Sequence, residues 1–199
     1  MSEYKKNKVK DELIEVARQV FGKYGFKKTN MDDIALAARR GKTSLYYYFK
    51  NKEEIFQAVI NKEAENLKEN IIKAIDNLAS PEEKIRIYII ERMRTLNNLA
   101  GFYDSIRNEL IDHLHFINDA RKQFDIDETK LVKFILMEGI SKNNFSIENI
   151  DLTASTIITI LKGVEVQFFV YSNTDDVNEK LNEIINLIIS GLKRPISKL

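Results

Sequence analysis

An all-α fold is what this sequence predicts, on three observations. Its 199 residues include only 7 glycines and 2 prolines, which leaves little room for anything but helix. Apolar residues make up 44% of the chain and recur at spacings of three and four, the signature of one helix face, over most of its length. The segment Thr29–Phe49, TNMDDIALAARRGKTSLYYYF, packs two short helical patterns around a tight break. The expected order is a three-helix domain over residues 1–52, then a long helix leading into a second helical domain over 53–199.

Val9, Leu13, Val16, Ala17, Val20, Phe21 and Tyr24 form the stripe of the first helix, which Gly25 ends. Lysines 5, 6, 8 and 10 are expected to precede the first helix, as a solvated terminus or as a basic arm. In the second helix Asn30 suits the N-cap and Asp32 and Asp33 suit the first turn, where acids complement the dipole. Met31, Ile34, Ala35 and Ala38 give it an apolar face. Gly41 is the one residue of the break free to take a positive φ, so the left-handed turn residue is expected there.

The third helix carries three consecutive tyrosines and is too short to bury them all. With residues turned by about 100° each, Leu45 and Phe49 share an inward face while Tyr47 lies about 200° from Leu45. Thr43 and Ser44 share the outer arc with Tyr47, and Tyr46 and Tyr48 flank it. Arg39, Arg40 and Lys42 precede this surface, and Lys50 and Lys52 follow it. Short hydroxyls, a polar-tipped aromatic and flanking cations suit phosphates and base edges better than a protein core. Two short helices joined by a tight turn, the second polar outside, read as a helix-turn-helix.

Ile55, Phe56, Val59, Ile60, Leu67, Ile71, Ala74, Ile75 and Leu78 continue one helical pattern almost to Ser80-Pro81. With no Gly or Pro inside, this helix is a stiff connector. Ser80 and Pro81 cap and open the next, with Ile85, Ile89 and Met93 on its apolar face. The pattern weakens over Leu99–Phe124, read as shorter helices. It returns from Asp127 to Glu138 through Leu131, Phe134 and Ile135, and Gly139 to Asn149 reads as a break and loop. The last two helices, over Leu152–Tyr171 and Val177–Leu192, have broad apolar surfaces. Such helices want two partners, which predicts a four-helix homodimer interface built from the last two helices of each chain.

The net charge of +1 hides an asymmetry. Residues 1–50 carry 12 Lys+Arg against 6 Asp+Glu, a net of +6, and the remainder carries 19 against 24, a net of −5. Only the first quarter of the chain is built to meet a polyanion. The absence of cysteine excludes disulfides and thiol nucleophiles and agrees with a cytoplasmic location. With no signal peptide and no apolar run of about 18 residues, the chain is expected to be soluble, with no membrane partner. His113 and His115 point about 200° apart on a helix and cannot share a metal. Glu109 with His113 and His115 with Asp119 are spaced as helix-surface pairs. No phosphate-cradling glycine loop, nucleophile elbow or HExxH is present. The expectation is no enzyme, no metal and no cofactor.

Phe21 to Tyr24, Gly25-Phe26, Thr29-Asn30-Met31, Ile34-Ala35, Ser44-Leu45-Tyr46-Tyr47-Tyr48-Phe49 and Lys52-Glu53-Glu54-Ile55-Phe56 together resemble the DNA-binding domain of TetR-family (tetracycline-repressor-like) transcriptional regulators. The resemblance runs from about Lys8 to Ala64 and departs from the family in the turn. There Arg39, Arg40 and Gly41 stand where Gly, an aliphatic residue and Ser are usual. It implies a C-terminal ligand-binding and dimerisation domain, a homodimer and a double-stranded operator. The role expected is a repressor released from a near-palindromic site by a small-molecule effector that tilts the connector helix. The expected DNA-contacting set is Lys28, Asn30, Arg39, Arg40, Lys42, Thr43, Ser44, Tyr46, Tyr47 and Lys52. Candidate pocket residues are Tyr88, Arg92, Phe102, Tyr103, His113, Phe116, Phe134, Met137 and Phe168, aromatic and isolated polar groups of the kind such sites use. Two other readings remain: a DNA-binding protein of this fold without an inducer, and a helical interaction module that has lost DNA binding.

Overall fold

The computed structural model describes the backbone of residues 3–102, 114–170 and 174–193, with side chains over 6–95, 122–165 and 178–193. Among the described residues there are eight helices and no strand: α1 (Glu3–Tyr24), α2 (Met31–Ala37), α3 (Lys42–Tyr48), α4 (Lys52–Ile75), α5 (Pro81–Phe102), α6 (Leu114–Ser141), α7 (Ile150–Val170) and α8 (Thr174–Lys193). They fall into two compact units, one containing Met1–Glu65 and the other Asn66–Asn98 with Gln123–Leu199. α4 therefore gives its first half to one unit and its second half to the other.

The first unit closes around Leu13, Ala17, Phe21, Ile34, Leu45, Phe49, Ile55, Phe56 and Val59, one buried stripe from each of α1 to α4. Phe21 meets Phe56 edge-on with ring centroids 5.2 Å apart, and Phe26 packs against both. Gly25, at φ 82, ends α1 by donating its N–H to the Phe21 carbonyl at 2.9 Å, the left-handed stop that only glycine takes without strain. α1 begins at Glu3, six residues before its apolar stripe, so the lysines expected ahead of the helix lie within it.

The second unit packs Leu67, Ile71, Ile85, Ile89, Val132, Ile135, Leu136, Ile157, Leu161, Ile185 and Ile189 into one core drawn from α4 to α8. Ser80 caps α5 through its Oγ, which accepts the Glu83 N–H at 3.4 Å, and Pro81 opens the helix. The break and loop expected over Gly139 to Asn149 begin two residues later, since α6 runs on to Ser141 and α7 starts at Ile150. Gly139 serves packing instead, because a Cβ at this position would stand 1.9 Å from Cδ2 of Phe145. The chain turns off just past the end of α6 at Asn143, which holds φ 57 while the Asn144 and Asn143 N–H groups bond back to the carbonyls of Gly139 (2.8 Å) and Ile140 (3.0 Å). No helix among the described residues is long and apolar enough to cross a membrane.

Candidate nucleic-acid interface

The chain from Asn30 to Phe49 forms the expected helix–turn–helix with one change in its turn. Asn30 accepts the N–H groups of Asp32 and Asp33 at 2.9 Å each, and Asp33 returns a bond to the Asn30 N–H at 2.8 Å. This reciprocal box fixes where α2 begins. At the other end Arg39, not Gly41, takes the left-handed conformation, with φ 52; Gly41 sits extended at φ −68 as the N-cap of α3. The reason is where α2 stops. Ala38 is its C-cap, so the next residue must turn left-handed for the N–H groups of Arg39 and Arg40 to reach the carbonyls of Leu36 and Ala35, both at 3.0 Å. Carrying that conformation on a side chain with a Cβ costs about 1 kcal/mol or more.

α3 turns Leu45, 0% exposed, and Phe49 into the core and leaves Tyr47 67% exposed. Tyr46 and Thr43 are exposed, and Ser44 and Tyr48 are half-buried. The Tyr47 and Tyr48 rings meet edge-on at 5.0 Å. Thr29, Asn30, Met31, Asp32, Lys42, Tyr46 and Lys52 line an open hollow of about 290 Å³ beside this face.

Several of the expected cations are already engaged. Lys42 contacts both Asp32 carboxylate oxygens, at 2.8 and 3.0 Å, and that hydrogen bond, with the attraction of the same charge, raises its pKa. Arg40 reaches Glu12 on α1 at 2.9 Å. Lys52 donates to the Phe26 carbonyl at 2.8 Å and lies over the Phe26 ring. The Asn30 side chain is spent on its cap. Arg39 and Lys28 are exposed and make no ion pair among the described residues. Missed from sequence were the partners Asp32 and Glu12, and the position of Lys6 and Lys10. These two stand over the rings of Tyr47, at 5.2 Å, and Phe49, at 5.7 Å.

The pocket candidates separate. Tyr88 and Arg92, one turn apart on α5, are both 0% exposed in the second unit. Arg92 Nε meets Glu128 of α6 at 2.5 Å, its Nη2 reaches the other oxygen at 3.3 Å, and Nη1 pairs with Glu165 of α7. Burial alone would lower the pKa of Arg92, but Glu165 and Glu128 outweigh it and hold the group more firmly charged. Burial, then the charge of Glu128, pushes the Tyr88 hydroxyl well above its ordinary range. Phe134 and Met137 are a correction: the inward stripe of α6 is Glu128, Val132, Ile135 and Leu136, which leaves Phe134 63% exposed and Met137 likewise outside. Tyr103 and His113 lie outside the described residues, as do the side chains of Phe102, Phe116 and Phe168. Glu128 and Glu165 were missed, although each interrupts an apolar stripe, which is the signal that a buried partner exists.

A short capped helix, a tight left-handed turn and a second helix with its polar aromatic face outward make up a helix-turn-helix. Residues 13–59 match the family described as bacterial regulatory proteins, tetR family. The chain is 34% identical over 64 residues to the HTH-type transcriptional regulator YhgD of Bacillus subtilis, covering 32% of this chain and 34% of that protein. It is 31% identical over 80 residues to the HTH-type transcriptional regulator QacR of Staphylococcus aureus, covering 40% and 43% respectively. The matched stretches thus span less than half of these relatives. Over nearly the whole chain, the fold is that of a transcriptional regulator from Cytophaga hutchinsonii, with a TM-score of 0.74, 26% identity, and 92% and 97% of the two chains covered.

Proposed function

We propose that this protein is a ligand-responsive repressor that binds a near-palindromic operator as a homodimer and leaves it when a small-molecule effector binds the second unit. The observation that carries this reading is the two-faced α3: Leu45 and Phe49 buried, Tyr47 and Thr43 outward, with Arg39 and Lys28 uncommitted nearby. Tyr47, Tyr46, Thr43 and Ser44 meet base edges and phosphates, and Arg39 and Lys28 take phosphates. Lys42 and Arg40 join them by exchanging their carboxylates for phosphates.

Dimerisation through the last two helices is supported by what they leave open. α7 exposes Leu152 and Ile160 and α8 exposes Leu187. Gly163 and Gly191 have nothing within 4 Å of where a Cβ would stand, so another backbone can approach them closely. The effector binds in the second unit near Tyr88 and Arg92, and α4, which belongs to both units, carries the response. A coupling of about 1–3 kcal/mol suffices to change occupancy.

The test is fluorescence anisotropy of the full chain on the DNA upstream of its own reading frame, across a salt series, followed by a metabolite screen on the complex. Salt-dependent binding to two half-sites about 34–36 Å apart, relieved by one compound class, is the expected outcome. Binding indifferent to every compound points to a regulator without an inducer. No salt-dependent binding points to an interaction module.

A further inference from the structure

From the placement of α1 we infer that Lys6 and Lys10 form a second, sequence-independent phosphate clamp beside the recognition helix α3; this rests on the reading of the protein as a DNA-binding regulator. The two residues are one turn apart, so they share a face of α1 within about 40° of each other. That face is turned to α3. Lys6 Nζ stands 5.2 Å from the centroid of Tyr47, the most outward residue of α3, and Lys10 Nζ stands 5.7 Å from that of Phe49.

Both lysines are exposed and neither makes an ion pair among the described residues, whereas Lys42 and Arg40 have carboxylate partners and Lys52 is bonded to a backbone carbonyl. Beside Arg39 and Lys28, the outward face of α3 thus has two uncompensated cations that are carried by another helix. A ring under an ammonium group attracts it without neutralising it, so the side chain is held in place and its charge stays available to a polyanion. α1 supplies position as well as charge, because it is already helical from Glu3 and its lysines are not on a free tail. Contacts of this kind reach phosphates and read no bases. They add affinity equally on every sequence and leave discrimination to α3.

The experiment measures affinity of the full-length protein for its operator and for an unrelated duplex of equal length, each over a salt series. The variants are Lys6→Gln with Lys10→Gln, Lys6→Arg with Lys10→Arg, and Lys23→Gln at the far end of α1. Two lost phosphate contacts lower the magnitude of the log K against log salt slope by about 2. The glutamine pair is expected to show that drop on both duplexes with their affinity ratio unchanged. The arginine pair is expected to restore the slope, and Lys23→Gln to leave it as in wild type. A glutamine pair that melts like wild type and keeps the full slope overturns the clamp while the DNA-binding reading stands. An equal loss in Lys23→Gln also overturns it, since general charge would then explain the effect. A wild-type protein with no salt-dependent binding to either duplex removes the reading itself, and the clamp with it.

Discussion

Changing Arg92 to methionine keeps most of the volume of a side chain that is 0% exposed and removes the charge that Glu128 and Glu165 share. Stripping one partner from a buried ionic cluster costs about 3–5 kcal/mol, because the carboxylates stay buried without their counter-charge. For a chain of this length each kcal/mol shifts Tm by roughly 2–4 °C, so the variant should melt about 6–20 °C below wild type. Urea denaturation followed by circular dichroism, at fixed protomer concentration so that assembly does not shift the midpoint, gives the free energy directly. Adding Glu128→Leu and Glu165→Gln to Arg92→Met should recover most of the loss, since the penalty lies in the stranded charges and not in the missing arginine. An Arg92→Met protein within 1 kcal/mol of wild type, or a triple variant no better than the single, would show that this reasoning is wrong.

Three further outcomes follow from local geometry. Gly139→Ala should destabilise by about 1–3 kcal/mol despite the better helix propensity of alanine, because its Cβ meets the Phe145 ring at 1.9 Å; a higher melting temperature would mean the ring moves aside freely. Hydrogen bonds from Lys142 and Lys84, each 2.7 Å long, hold the Glu138 carboxyl below its usual range. Its contribution is therefore present above the unfolded-state value of about 4.3 and fades as pH falls through the lower folded value. Glu138→Gln should be less stable than wild type at pH 7, with the gap narrowing as pH falls below the unfolded-state value, and a gap that stays constant into acid would contradict the assignment. Arg39→Gly relieves the strain at φ 52 and should raise stability by about 1 kcal/mol in thermal melts while weakening DNA binding; loss of stability would show that the arginine side chain holds the turn.

Local chemistry carried much of the architecture into the sequence. Gly25, the Asn30 cap and Ser80-Pro81 mark helix ends with residues whose backbone preferences are strong, and the structure has helix ends at all three. The outward turn of Tyr47 followed from helical spacing alone. What stayed hidden depended on residues distant in the chain or on backbone strain. Nothing about Arg39 advertises a left-handed residue, since the requirement comes from where α2 stops and not from the side chain. Gly139 looked like punctuation because a close contact with Phe145 leaves no trace in helical periodicity. Phe134 and Met137 resemble pocket residues by composition, yet the inward stripe of α6 is set by Val132, Ile135 and Leu136. The engagement of Lys42 by Asp32 and of Arg40 by Glu12 spans ten and 28 residues, beyond any local pattern.

The Arg92 cluster also decides which helix registers the second unit accepts. The apolar stripes of α5, α6 and α7 repeat every three or four residues, so sliding α6 by one turn, about 5.4 Å, would place one aliphatic side chain where another had been. Swaps of similar volume usually cost under about 1.5 kcal/mol, too little to reject a slipped packing. The same slide would carry Glu128 a full turn away from Arg92 and strand buried charge at several times that cost. Greasy contacts bring the three helices together, and one guanidinium tells them how far along each other to stop.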